Sequence, residues 1–131
     1  TYGDGLSDIN LKKLVKFYKK NNKTVTLTAV RPPARFGHLK IKGNSVKYFK
    51  EKSSLDEGWI NGGFFVMNSK FLKSIKNDNT YLERDPLENL AKKKQLSAFK
   101  YDGFWHCMDT VRDKKSLDQI LKKKKFKKLF D

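Results

Sequence analysis

One cysteine, Cys107, stands in 131 residues, so no internal disulfide can form and no second thiol is at hand for a zinc knuckle. Its plainest place is as a small core thiol. Arginine is scarce too: Arg31, Arg35, Arg84 and Arg112 are four of thirty basic residues, and the other 26 are lysines without the planar fork that reads bases and phosphates. No apolar run approaches the roughly 18 residues of a membrane span, and Thr1 opens no basic-then-apolar leader. A cytoplasmic protein with no membrane partner is the expectation. The chain also lacks a nucleophile-elbow glycine pattern around a serine, a phosphate-cradling glycine-rich loop, and paired zinc-ligand spacing for His38 and His106. Internal repeats and linkers are absent as well.

What is present is enough to fold. Hydrophobic residues make up 37%, with ten Phe, which suits one domain over 1–131 despite 34% charge. Thirty basic residues against fourteen acidic ones leave a net charge of +16, a balance that invites nucleic-acid binding. Six of the lysines fall in residues 122–131, however, and read as a solvated basic tail. No specific nucleic acid is expected as a partner, and a Lys-rich nucleic-acid-binding module is the alternative function.

Along the chain, Ser7 is a candidate N-cap for a helix over about Asp8 to Lys20, ended by Asn21 and Asn22, with no strand before it. Thr24 to Val30 alternates like a strand until Pro32-Pro33 breaks it. Leu39 to Lys42 and Ser45 to Lys50 flank Gly43-Asn44 and predict a hairpin. Trp59 to Met67 reads as a buried strand interrupted by Gly62-Gly63, where a bulge or a close ligand is expected. A short helix over Ser69 to Ile75 follows, then one with Asp85 as N-cap and Pro86 at its first position, ending near Lys94. Leu96 to Tyr101 is a further strand, and Thr110-x-x-Asp113 heads a last amphipathic helix. Strands alternating with helices predict an α/β or α+β layer structure.

Several residues could carry chemistry, each with a structural alternative. Asp4 lies between two glycines, which suits a hard cation held with phosphates, or simply a turn. Asp109 precedes the Thr110 helix start and is either a second carboxylate for such an ion or a partner of the helix dipole. Lys52 beside Glu51 offers a phosphate-binding cation next to a sugar-hydroxyl acceptor, or a surface ion pair. Asn61 before the glycine pair can meet a sugar with both donor and acceptor, or can stabilise the bulge. Arg35 and Gly37 serve a ligand or a turn equally well.

Taken in order, Tyr2-Gly3-Asp4-Gly5, Arg35-Phe36-Gly37, Phe49-Lys50-Glu51-Lys52, Ile60-Asn61-Gly62-Gly63-Phe64-Phe65 and Trp105-His106-Cys107-Met108-Asp109-Thr110-x-Arg112-Asp113 form a set. That set resembles the second half of sugar-1-phosphate nucleotidylyltransferases, the glucose-1-phosphate cytidylyltransferases above all. The resemblance spans essentially the whole chain. It implies the carboxy-terminal part of a Rossmann-like nucleotidyltransferase fold, a mixed sheet flanked by helices. It further implies synthesis of CDP-glucose and pyrophosphate from CTP and glucose 1-phosphate with Mg²⁺, in a homo-oligomer. By that resemblance Asp4 and Asp109 are metal ligands and Gly3 and Gly62 line the substrate site. Lys52 holds the sugar phosphate, and Glu51 and Asn61 touch the sugar. The family's Glu-Lys is normally followed by Pro, where Ser53 stands here. The amino-terminal glycine-rich signature that binds the triphosphate is not in these 131 residues, so the isolated chain is expected to be inactive.

Overall fold

The computed structural model describes residues 1–32, 38–50 and 58–123. At its centre lies a strand of alternating Thr and apolar residues, Val25–Val30 (β2 in chain order, after a short β1, Gly5–Ser7). β-Branched side chains are stiff at χ1 and pack well on a pleated surface, and here both faces of the strand are covered. Val25, Thr26, Thr28, Ala29 and Val30 are all buried. The hairpin strands β3 (His38–Lys42) and β4 (Ser45–Lys50) come next, then β5 (Ile60–Met67) and β6 (Leu96–Tyr101). β5 runs antiparallel to β2 on one side and β6 runs parallel on the other, giving a mixed sheet in the order β5-β2-β6.

Helices cover both faces of this sheet, so the α/β layering expected from the sequence is the architecture found. Side chains alternate between the two faces of a strand. On one face Val25 packs with Phe71 and Leu87, ringed by Phe65, Met67, Leu82, Leu90 and Leu96. Phe71 comes from a 3₁₀ turn over Ser69–Ser74, and Leu87 from a helix over Asp85–Lys92 (α2). Burying two such side chains contributes about 1.5–3 kcal/mol each. On the other face lies α1 (Leu11–Asn21), which buries Leu14 and sets Phe17 edge-on to Phe99 at 5.3 Å. Thr26 Oγ1 and Ser97 Oγ share a 2.7 Å hydrogen bond there, so the polar half of the alternation is partly satisfied.

The predicted hairpin forms, with Gly43 at φ +57° opening its two-residue turn. The predicted bulge forms as well: between Leu27↔Phe65 and Ala29↔Asn61, the three residues 62–64 face Thr28 alone. Other expectations need correction. The chain does not open without a strand, because β1 pairs antiparallel with a second short strand, Trp105–Cys107 (β7). Three residues are too few to show a period, so neither strand announces itself in sequence. Ser7, the expected N-cap, therefore lies in β1 and donates to Phe104 O at 2.8 Å. Asn10 caps α1 instead, its side chain accepting from Lys13 N at 2.9 Å. Asp85 is inside α2 rather than its cap, and the helix ends at Lys92.

The last helix, α3 (Val111–Lys123), starts as predicted. Asp113 N donates to Thr110 Oγ1 at 3.1 Å, and Asp113 Oδ2 accepts from Thr110 N at 3.1 Å, a reciprocal cap. α3 includes Lys122 and Lys123, so the basic stretch 122–131 begins inside a helix, and 124–131 lies outside the described residues. Among the described residues no helix is long and apolar enough to cross a membrane.

Candidate active site

The glycine pair of β5 is where the three-stranded sheet meets the β1–β7 pair. Bulging turns the Gly62 and Gly63 carbonyls out of the ladder, and each finds a partner on a different short strand or its flank. Trp105 Nε1, on β7, donates to Gly62 O at 2.9 Å. Tyr2 N, just before β1, donates to Gly63 O at 3.0 Å. Only glycine fits this suture at position 63, where φ is +78° and a Cβ would stand 2.8 Å from Tyr2 Cδ2. Position 62 is crowded by the sheet itself, with Val30 Cγ1 2.8 Å from where a Cβ would lie.

The pairing of β1 with β7 brings the predicted aspartates to one end of the molecule. Gly5 faces Cys107, and just beyond the ladder Met108 N donates to Asp4 O at 3.0 Å. Asp4 and Asp109 thus leave from neighbouring strand ends, and both are exposed. Ligand atoms of Cys107, Asp109 and Asp113 lie within 4.8 Å of one another, a grouping that Asp4 does not join. Asp113 is buried and its Oδ2 already accepts from both Thr110 N and Thr110 Oγ1. The carboxylate that caps the helix start through hydrogen bonds is Asp113. Cys107 is half-buried rather than a core thiol, and its soft sulfur suits a hard cation poorly. The oxygen donors that remain, Asp4 and Asp109, fit a small hard ion that completes its shell with water and phosphate.

Asn61 occupies the start of the bulge. Its Oδ1 accepts from Gly63 N at 3.0 Å, so the bulge-stabilising role is observed. Its Nδ2 donates to the Tyr2 hydroxyl at 3.1 Å, and that hydroxyl in turn donates to Glu83 Oε1. The Tyr2 ring also sits edge-on to Phe65 at 5.4 Å. Burial, with the Glu83 hydrogen bond adding to it, pushes the Tyr2 hydroxyl up to about 12. His106 is buried, its Nδ1 2.6 Å from Cys107 O and its Nε2 3.4 Å from Ser116 Oγ, which ties β7 to α3.

Gly3, Asp4, Asn61, Gly62 and Asp109 therefore come from three sequence-distant segments gathered by the β1–β7 pair and the β5 bulge. Glu51 and Lys52, like Arg35 and Gly37, lie outside the described residues. Glu83 carries no expectation from sequence, and Tyr2 stands there only as the first residue of the Tyr2-Gly3-Asp4-Gly5 motif, with no role assigned. A separate cavity of about 640 Å³ between the 3₁₀ turn and α2 contains none of the predicted site residues.

Residues 1–112 match the nucleotidyl transferase family. The chain is 46% identical over 125 residues to glucose-1-phosphate cytidylyltransferase from Salmonella typhimurium, covering 95% of this chain and 49% of that protein. It is 32% identical over 116 residues to mannose-1-phosphate guanyltransferase from Aspergillus oryzae, covering 84% of this chain and 32% of the relative. The chain thus spans about half the length of the glucose-1-phosphate relative it matches, and less of the guanyltransferase. Its fold is that of the crystal structure of HddC from Yersinia pseudotuberculosis, with a TM-score of 0.60 at 18% identity over 91% of this chain and 52% of that one. Motif set, fold and family match agree, and the chain belongs to the nucleotidyl transferase family.

Proposed function

We propose that the encoded protein transfers a cytidylyl group from CTP to glucose 1-phosphate, giving CDP-glucose and pyrophosphate. The observation that carries this reading is the gathering of Gly3-Asp4, Asn61-Gly62-Gly63 and Trp105 to Asp109 at one end of the fold. The similarity to the Salmonella cytidylyltransferase supplies the substrate pair.

The reaction asks little of acid–base chemistry. The nucleophile is a phosphate oxygen that is already anionic at neutral pH, so positioning and charge neutralisation are the main requirements. Asp4 and Asp109 would hold Mg²⁺, which when bound offsets charge on the phosphates. Lys52 would hold the sugar phosphate as a point charge. Glu51 and Asn61 would contact the sugar, with Gly3 and Gly62 lining the pocket where backbone must approach closely. The Trp105 bond to Gly62 O fixes the backbone at that position.

Pyrophosphate release from CTP and glucose 1-phosphate with Mg²⁺, measured on the polypeptide as encoded, is the test. Asp4→Asn and Asp109→Asn should each lower turnover by about a hundredfold or more while leaving the circular dichroism spectrum unchanged. Activity within about threefold of the parent, roughly 0.7 kcal/mol of barrier, would remove that residue from the metal site.

A further inference from the structure

Tyr2 and Glu83 are 81 positions apart and meet beside Asn61. A carboxylate can only accept, so the Tyr2 hydroxyl must spend its proton on Glu83 and is left with lone pairs alone. It can then be approached only by a donor. Asn61 accordingly turns its Nδ2 toward Tyr2, while Gly63 N–H demands Oδ1 at the other end of the same amide. Both ends of the amide are specified by partners of opposite polarity, and a 180° flip would set acceptor against acceptor and donor against donor.

Each amide terminus has capacity left over. Among the described residues one Nδ2 proton and one Oδ1 lone pair are unspent after these two bonds, a donor and an acceptor on one amide, which is the pattern that a sugar hydroxyl or a neighbouring pair of hydroxyls can satisfy. We infer that Tyr2 and Glu83 are positioning residues which fix the orientation of the Asn61 amide for recognition of the sugar. The inference rests on the reading of Asn61 as a sugar contact. Tyr2 is well placed for the task, since its backbone N holds Gly63 O and its ring lies against Phe65 and Gly63. Burial and the Glu83 bond keep the Tyr2 hydroxyl protonated across the physiological range, so it retains the proton it gives to Glu83.

The experiment compares Tyr2→Phe, Glu83→Ala, Glu83→Gln and Asn61→Ala in the polypeptide as encoded. It reads kcat, KM for each substrate and the calorimetric Kd of glucose 1-phosphate. Tyr2→Phe keeps the ring packing and removes only the hydroxyl; KM and Kd for glucose 1-phosphate should rise about tenfold while kcat and KM for CTP stay within about twofold. Glu83→Ala removes an exposed carboxylate with no core contact and should give the same pattern, and the double variant should be no worse than Tyr2→Phe alone. Glu83→Gln still offers Tyr2 an acceptor and should restore binding to within about threefold of the parent. If Asn61→Ala weakens sugar binding while Tyr2→Phe and Glu83→Ala leave it unchanged, the positioning role is overturned alone. If Asn61→Ala has no effect, or the parent neither binds nor turns over glucose 1-phosphate, the functional reading falls and this inference with it.

Discussion

Gly62 and Gly63 sit side by side yet are required for different reasons. At 63 the backbone itself is left-handed and the Tyr2 ring closes on the α-carbon, so any side chain is strained twice. At 62 the backbone is ordinary and the obstacle is the buried Val30 side chain, with Thr28 O 3.2 Å away on the same side. Gly62→Ala should therefore force β5 away from β2 and lower stability by about 1–3 kcal/mol, read as a reduced urea midpoint. The same shift would move the carbonyl that Trp105 holds. An unchanged midpoint would show that the edge strand yields without cost.

At the scale of elements, β2 carries an internal conflict. Its hydroxyls face a helix-covered layer, and the two threonines fare differently: Thr26 bonds Ser97, whereas Thr28 Oγ1 is buried with no hydrogen-bond partner among the described residues. An unpaired buried hydroxyl costs about 1–3 kcal/mol of desolvation. Thr28→Val keeps the β-branched shape and removes the hydroxyl, and should raise stability by about 1 kcal/mol in chemical denaturation. Thr26→Val should do the opposite, because it orphans Ser97. A lower midpoint for Thr28→Val would reveal a partner for that hydroxyl.

The whole molecule combines a net charge of +16 with apolar surface left in the open. The β3–β4 hairpin pairs with no other described strand and exposes Ile41, Val46, Tyr48 and Phe49, while α1 exposes Leu11 and Val15. A lone two-stranded hairpin is at best marginal in water, and exposed apolar side chains gathered on such an element are typically covered by association. Charge repulsion among copies opposes that at low salt and is screened beyond about 8 Å at 0.15 M. We predict a homo-oligomer whose mass by light scattering rises with salt and protein concentration. A monomer at every condition would overturn it.

Much of this was legible along the chain. The period of two in Thr24 to Val30, the Gly43-Asn44 turn, the Thr110/Asp113 cap and the Gly62-Gly63 interruption are local signals, because each depends on the conformational preferences of a few adjacent residues. The ordered motifs likewise marked out Asp4, Asn61 and Asp109 as candidates before any fold was known. Tertiary structure alone decided the rest. β1 and β7 are three residues each and exist only because they pair with one another, some hundred positions apart, so no local preference could foretell them or deny Ser7 its expected cap. The same pairing settles that Asp4 and Asp109 leave from one end of the fold, and the Tyr2–Glu83–Asn61 relay arises from three segments with no shared pattern. Residue types set what each group can donate, accept or bury; which groups meet is settled by chain closure, and that is a property of the packed sheet rather than of any stretch of sequence.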